Sequence, residues 1–329
     1  MDQVKLFVPS SSANIGLGYD IWSLALGKPQ LQVTYTRLPG KSRIELETES
    51  PFQAPQNRSL GYAGKQALEQ FLKEYKINDG AHLHYKDDGY PIGGLGRSGA
   101  EAVGAIMAAA VIYGIRLNRN EVIIASARGE PGQHKDNVAA STNGRLNIIV
   151  PYAPYTGKPL VDFYDVPEDL GLAIGFSSYQ KTGGTRAGRE ILRSSVAVKD
   201  FVKQMGMISA ATAAIVTNNT DRFLELAWGD IFHQPRRARA GFYGNFDDRD
   251  FIELQRRLYV EFRVAWNVSG AGPNMQAKYS RKQYPRGISE VIAPTVTPWF
   301  ESKGIKIKLE ETLVAKEGAY DYAQRQYNY

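Results

Sequence analysis

The sequence predicts an α+β chain of two domains, and three observations carry that prediction. Segments of alternating polarity and segments of helical periodicity follow one another without a regular strand–helix–strand rhythm, which argues against a doubly wound parallel sheet. At 329 residues the chain is long for a single hydrophobic core. A turn-rich stretch, Pro151-Tyr152-Ala153-Pro154-Tyr155-Thr156-Gly157-Lys158-Pro159, marks a boundary and gives domains at 1–155 and 156–329.

Each element has its own signal. Residues 4–8 and 30–37 alternate apolar and polar, as half-buried strands do, and 42–48 repeats the pattern. Residues 62–75 form a helix with Ala63, Ala67, Leu68, Phe71 and Leu72 on one face. Residues 81–85 alternate again, and Asp87-Asp88-Gly89 turns the chain. Four glycines then lead into a small-residue apolar run at 102–112, a buried helix ending near Tyr113. Asn118 lies in the N-cap region of a helix over 121–129. A polar loop at 129–136, a short helical turn at 138–141 and a strand at 146–151 follow. In the second half, 171–176, 264–268 and 304–310 read as strands, and 199–215, 220–232 and 251–259 as helices. The Tyr-rich tail at 320–329 has no periodicity and predicts a partly mobile end.

Composition narrows the function. An apolar content of 43% with 22% charged residues belongs to a soluble globular protein, and no apolar stretch is long enough to span a bilayer. Residues 1–8 are too short and too acidic for a signal peptide, so a cytoplasmic protein with no membrane partner is expected. The absence of cysteine excludes disulfides, thiolate catalysis and cysteine-bound zinc. The net charge of +6 is modest, and the basic cluster Arg236-Arg237-Ala238-Arg239 lacks interleaved aromatics, so nucleic acid is not the expected partner.

Three glycine-containing segments stand out. They are Ser11-Ser12-Ala13-Asn14-Ile15-Gly16-Leu17-Gly18-Tyr19-Asp20, Pro91-Ile92-Gly93-Gly94-Leu95-Gly96-Arg97-Ser98-Gly99, and Ser269-Gly270-Ala271-Gly272-Pro273. The middle one feeds a helix, and a glycine loop at a helix N-terminus presents backbone N–H groups suited to phosphate. It is not a Walker A loop, because no Gly-Lys-Ser/Thr ends it, and it lacks the acidic ribose partner of a dinucleotide fold.

In this order and spacing, the three segments resemble those of the GHMP kinases. Other segments, His134-Lys135-Asp136-Asn137-Val138, Thr182 with Arg186, and Asp230-x-x-His233-x-Pro235-x-Arg237, are most similar to the homoserine kinase branch. The resemblance covers about residues 4–275. It implies a first domain like the second domain of ribosomal protein S5, a ferredoxin-like second domain, and a site between them. It implies transfer of the γ-phosphoryl group of ATP, with Mg²⁺, to the side-chain hydroxyl of L-homoserine, on the way to threonine, with a homodimer as a candidate assembly. Asn57, Pro91, Gly93, Gly94, Leu95, Gly96, Arg97, Ser98 and Gly99 would hold the nucleotide, and Ser98 and Glu130 the metal. Asn14, Asp20, His134, Arg186, Arg237 and Gly270 would hold the acceptor, with Asp20 facing its ammonium group. Asn137, Asp136, Arg186 and Arg237 would stand at the reacting atoms, Asn137 as a polar contact and Asp136 as a base.

Some readings stay open at this point. Arg97 stands where homoserine kinases carry the first of two serines, and it either meets phosphate or pairs with Glu101 one turn on. The 130–137 interval is shorter than in those kinases. Another small-molecule GHMP kinase and a non-catalytic nucleotide-binding relative are the two alternatives. His82 and His84 read as a solvated strand face, and His233 as the C-terminal end of the 220–232 helix.

Overall fold

The computed structural model describes residues 1–50, 60–87, 89, 93–130, 132–179, 184–192 and 195–329, the last three including residues 184–186 by backbone alone. The chain divides into two compact units. The first comprises Met1–Ser12, Asp20–Tyr164 and Val314–Tyr329, and the second Ala13–Tyr19 and Asp165–Leu313. The chain therefore crosses between units several times instead of once near residue 155, and the 151–159 turn lies inside the first unit.

In the first unit β1 (Gln3–Asn14), β2 (Gly18–Leu38), β3 (Ile44–Glu49), α1 (Tyr62–Glu74), β4 (Gly80–Asp87), α2 (Arg97–Tyr113), α3 (Arg119–Ala127), α4 (Asp136–Asn143), β5 (Leu146–Val150) and β6 (Leu160–Tyr164) follow in order. The strands form one sheet in the order β3-β4-β2-β5-β6, with β1 also paired to β2. The β3–β4 pair is parallel, with Glu47 opposite His84, and β4, β5 and β6 join antiparallel pairs. Helix α2 is buried over most of its length because its small residues admit close neighbours. A Cβ on Gly104 would lie 2.4 Å from a methyl of Val33 in the sheet. Helix α3 starts on a capping box, with Asn118 accepting from the Glu121 N–H and Glu121 accepting from the Asn118 N–H.

The second unit holds β7 (Leu170–Ser177), α5 (Gly184–Glu190), α6 (Val198–Val216), α7 (Thr220–Ala227), α8 (His233–Arg239), α9 (Asp248–Phe262), β8 (Ala265–Val268), β9 (Met275–Ser280), α10 (Ser289–Glu301) and β10 (Ile307–Thr312). Its antiparallel sheet runs β10-β7-β9-β8. One face carries Trp266, Val268, Met275, Ala277 and Tyr279 and packs on Phe251, Leu254 and Leu258 of α9 and Ile292, Val296 and Phe300 of α10. The opposite face meets α7, and it carries Asn267, Gln276 and Lys278, all buried.

Two expectations change here. The tail is not a loose end. It forms α11 (Ala319–Tyr327), and its tyrosines dock by their hydroxyls: Tyr327 donates to Lys5 O at 2.8 Å and Tyr329 to Ile115 O at 2.9 Å. The helix expected over 220–232 stops at Ala227 because Asp230 starts a new one. Its carboxylate accepts the N–H groups of Phe232 (2.8 Å), His233 (3.3 Å) and Gln234 (2.7 Å), and Pro235 occupies the first turn. His233 is thus the first residue of α8, fully buried, and not the end of a helix.

Candidate active site

In the first unit the glycine loop closes on β1 and α4. The Ser11 N–H donates to Leu95 O at 3.2 Å, and Ser11 Oγ donates to Asn137 Oδ1 at 2.8 Å. Gly96 lies at the crossing with φ 64°, and a Cβ there would fall 1.9 Å from Ser11 Oγ and 2.7 Å from Asn137 Oδ1. Only glycine fits, both by conformation and by space. Gly93 and Gly94 also take positive φ, 122° and 75°. Gly96 is the N-cap of α2 and has no side chain to cap it. The N–H groups of Arg97, Ser98 and Gly99 therefore have no side-chain cap from that position, while Ala100 N–H is the first to close a helical turn, on Gly96 O at 3.0 Å. This cradle fits a phosphate, and the Ser98 hydroxyl and Glu130 carboxylate are oxygen donors of the kind a hard divalent cation takes. Asn57 and Pro91 lie outside the described residues.

The Arg97 side chain is engaged by two carboxylates. Its guanidinium pairs with Asp87 at the end of β4 and with Glu101 at 3.0 Å, and all three side chains are buried. Burial opposes the Arg97 charge, but the two carboxylates outweigh it and raise its pKa. Burial holds the Glu101 carboxyl above its usual value despite the attraction of Arg97. Of the two readings of Arg97 the i, i+4 pair is the one the side chain adopts, with Asp87 as a second partner.

Asp136 and Asn137 open α4. Asp136 is buried, and its Oδ1 accepts the Asn137 N–H at 2.8 Å, a local helix-start bond. The Ser11 hydroxyl orients the Asn137 amide. His134 is half-buried with its ring over Gly132, where a Cβ would lie 2.6 Å from Nε2. Glu130 is half-buried just past α3, and its carbonyl accepts from Gln133 N–H at 2.9 Å. Asp20 is half-buried on β2 with φ 57°. His82 and His84 face Glu47 and Glu49 across the β3–β4 ladder at 3.2 and 3.1 Å, a polar strand face on which Lys86 also meets Glu49.

The second unit brings the first and third glycine segments together. Asn14 Nδ2 donates to Gly270 O at 2.8 Å, and Gly270 N–H returns to Ala13 O at 3.1 Å. The same unit holds a cationic cluster that sequence reasoning resolved only in part. Arg237 is 2% exposed; its Nε donates to Gly188 O at 2.9 Å, and its guanidinium lies 5.5 Å from the Tyr19 ring and 5.9 Å from the Phe242 ring. Its Nη1 is buried with no hydrogen-bond partner among the described residues. Arg189 lies over the same Tyr19 ring at 5.8 Å. Below, the Tyr19 ring packs on His233 at 5.4 Å, and His233 Nδ1 is 2.7 Å from Asp230 Oδ2. Burial alone would raise the Asp230 pKa, but His233 and the N–H groups of Gln234 and Phe232 lower it. Burial pushes the Tyr243 phenol up to about 12, with Arg237 opposing. Arg186 lies on α5. Tyr19, Arg189 and the Asp230–His233 pair were not assigned from sequence; the available signal was the acid three residues before a histidine at a helix start.

Comparison with known proteins agrees with this geometry. Residues 62–145 match the family model of the GHMP kinases N terminal domain. The homoserine kinase of Methanococcus maripaludis is 30% identical over 277 residues, covering 83% of this chain and 86% of that protein. The chain belongs to the GHMP kinases. A second homoserine kinase, from Thermoplasma volcanium, is 28% identical over 318 residues, covering 95% of each chain. Among solved structures, homoserine kinase from Cytophaga hutchinsonii superposes with a TM-score of 0.78 at 21% identity, covering 97% of this chain and 96% of that one. L. major mevalonate kinase superposes at 0.68 and 15% identity, covering 96% of this chain and 97% of that one. At those identities the structures establish the two-domain GHMP kinase fold. No helix among the described residues of this GHMP kinase is long and apolar enough to cross a membrane.

Proposed function

We propose that this GHMP kinase is a cytoplasmic homoserine kinase. The acceptor hydroxyl oxygen attacks the γ-phosphorus of ATP, the bond to the β,γ-bridging oxygen breaks, ADP leaves, and the hydroxyl proton is lost, giving O-phospho-L-homoserine. Such a transfer asks the protein for positioning and charge neutralisation more than for covalent chemistry. The N–H groups of Gly93, Gly94, Ser98 and Gly99 would hold the phosphates. Ser98 and Glu130 would hold Mg²⁺, which neutralises phosphate charge when bound. Asn137, its amide fixed by Ser11, would contact the reacting oxygens, and the Asp136 carboxylate would stand next to it as base. Asn14, Asp20, His134, Arg186 and Arg237 would hold the amino acid, Asp20 by its ammonium and the arginines by its carboxylate.

The observation that carries this reading is the buried Nη1 of Arg237, a cationic donor with no hydrogen-bond acceptor among the described residues, in the same unit as the Asn14–Gly270 contact. An uncompensated buried guanidinium donor suits an anionic group supplied by a ligand. The test is product formation. With ATP, Mg²⁺ and L-homoserine, phosphorus NMR should show a phosphomonoester and ADP accumulating in equal amounts. ATP consumption without that phosphomonoester would overturn the reading.

A further inference from the structure

We propose that Lys278 and Asn267 are positioning residues for the acceptor end of the second unit, holding from beneath the turn that presents Asn14. This rests on the acceptor reading above. The turn needs holding. Asn14, Ile15 and Gly16 take φ of 68°, 47° and 86°, three left-handed residues in succession. A β-branched residue such as Ile15 is strained in that region and persists only where the surroundings over-determine it. Side-chain and backbone bonds tie the two ends: Asn14 to Gly270 O, Gly270 to Ala13 O, and Gln204 Nε2 to Leu17 O at 2.7 Å. The middle of the turn rests on the sheet. A Cβ on Gly16 would lie 2.1 Å from Ala227 O and 2.7 Å from Asn267 Nδ2, so the backbone there touches the Asn267 amide directly.

Lys278 sets that amide. It is fully buried on the α7-facing side of β9, and its Nζ donates to Asn267 Oδ1 at 2.6 Å. The amide oxygen is thereby directed to the lysine and the nitrogen to the turn. Burial drives the Lys278 amine well below its usual pKa. Leu172, its register partner on β7, shows that an apolar side chain is accommodated on this face. A buried amine is a costly way to fill such space. Its contribution is orientation: it locks the amide that Gly16 sits on, and so the φ 68° geometry that aims Asn14 at Gly270.

The test compares Lys278→Met with Lys278→Gln in the full chain. Lys278→Met should raise the KM for homoserine about tenfold or more while kcat and the KM for ATP stay within about twofold. Its melting temperature should stay within a few degrees of the wild type, since relief of the buried amine offsets the donor lost to Asn267 Oδ1. Lys278→Gln, which retains a donor, should recover part of the KM. Hydrogen exchange gives a readout independent of acceptor identity: amides in 13–19 should exchange about tenfold faster in Lys278→Met, with the rest of the chain unchanged. An unchanged KM with unchanged exchange would overturn the proposal. So would a parallel loss of melting temperature, kcat and both KM values, which marks a purely structural residue. A wild-type enzyme inactive on homoserine would instead overturn the acceptor reading, and the exchange comparison would still decide the role of Lys278.

Discussion

Replacing Arg97 with alanine separates the two roles open to it in the sequence. In the fold its guanidinium pairs with the buried carboxylates of Asp87 and Glu101, and the Asp87 side chain is fully buried. Removing one member of a buried, hydrogen-bonded ion pair costs about 3–5 kcal/mol, because the partner is left charged and desolvated. At about 2–4 °C per kcal/mol for a unit of this size, the first unit should melt about 6–20 °C lower. The loss should depend on pH with a definite sign. Glu101 already has a folded pKa above its usual value, and without Arg97 it rises further. The penalty is therefore present above the folded pKa and shrinks as pH falls through it, because a protonated Glu101 needs no cation. Adding Glu101→Gln to Arg97→Ala should restore part of the stability at neutral pH. Calorimetry between pH 5 and 8, with the KM for ATP measured in parallel, decides the matter. A melting shift below about 1 °C with a tenfold rise in the KM for ATP would refute the buried-pair role and return Arg97 to the phosphates.

Further predictions follow the same geometry. Gly96→Ala should lower stability by about 1–2 kcal/mol for its left-handed backbone alone. It should also weaken ATP binding, read by titration calorimetry, because its methyl collides with Ser11 Oγ. Asn137→Ala should lower kcat about a hundredfold with little change in melting temperature, checked by steady-state kinetics. Asp230 has a depressed folded pKa, so its contribution is present above the unfolded carboxylate value and is lost as pH falls through the folded one. Asp230→Asn should accordingly destabilise by about 3–5 kcal/mol at neutral pH, and by progressively less in acid, as followed by thermal melts.

Much of this arrangement was legible from the residues. The helices at α1, α2 and α6 and the strands at β4, β7 and β8 announce themselves because one face, or both, is apolar at a regular spacing. The segments that escaped are those where the pattern is broken for a physical reason. Strand β6 is an exposed edge with little apolar face to alternate. Strand β9 alternates Met275, Ala277 and Tyr279 with Gln276, Lys278 and Ser280, but it follows the third glycine segment directly and its polar face is buried instead of solvated, so its six residues were not read as a strand. Helix α10 buries Ile292, Val296 and Phe300 at four-residue spacing, but Pro294 and Pro298 on its exposed side disguise it. Helix α11 is held by tyrosine hydroxyls reaching distant backbone, a long-range effect that no local window contains. At the site, the residue types of the glycine segments were readable, and so was the pairing of Arg97 with Glu101. That Asp87 completes this pair, and that Tyr19 stacks between His233 and two arginines, depends on tertiary contacts between distant segments.

Acceptor selectivity tests the central claim most directly. With saturating ATP and Mg²⁺, kcat/KM should be measured for L-homoserine, L-threonine, mevalonate, shikimate and pantoate under one condition. Homoserine should exceed mevalonate, shikimate and pantoate by about a hundredfold or more, since on the proposed reading its ammonium and carboxylate would each meet an oppositely charged side chain; threonine, which carries both groups, is separated only by the placement of its hydroxyl and should be the nearest competitor. Strong turnover of an acceptor that lacks an ammonium group, with homoserine inert, would contradict it.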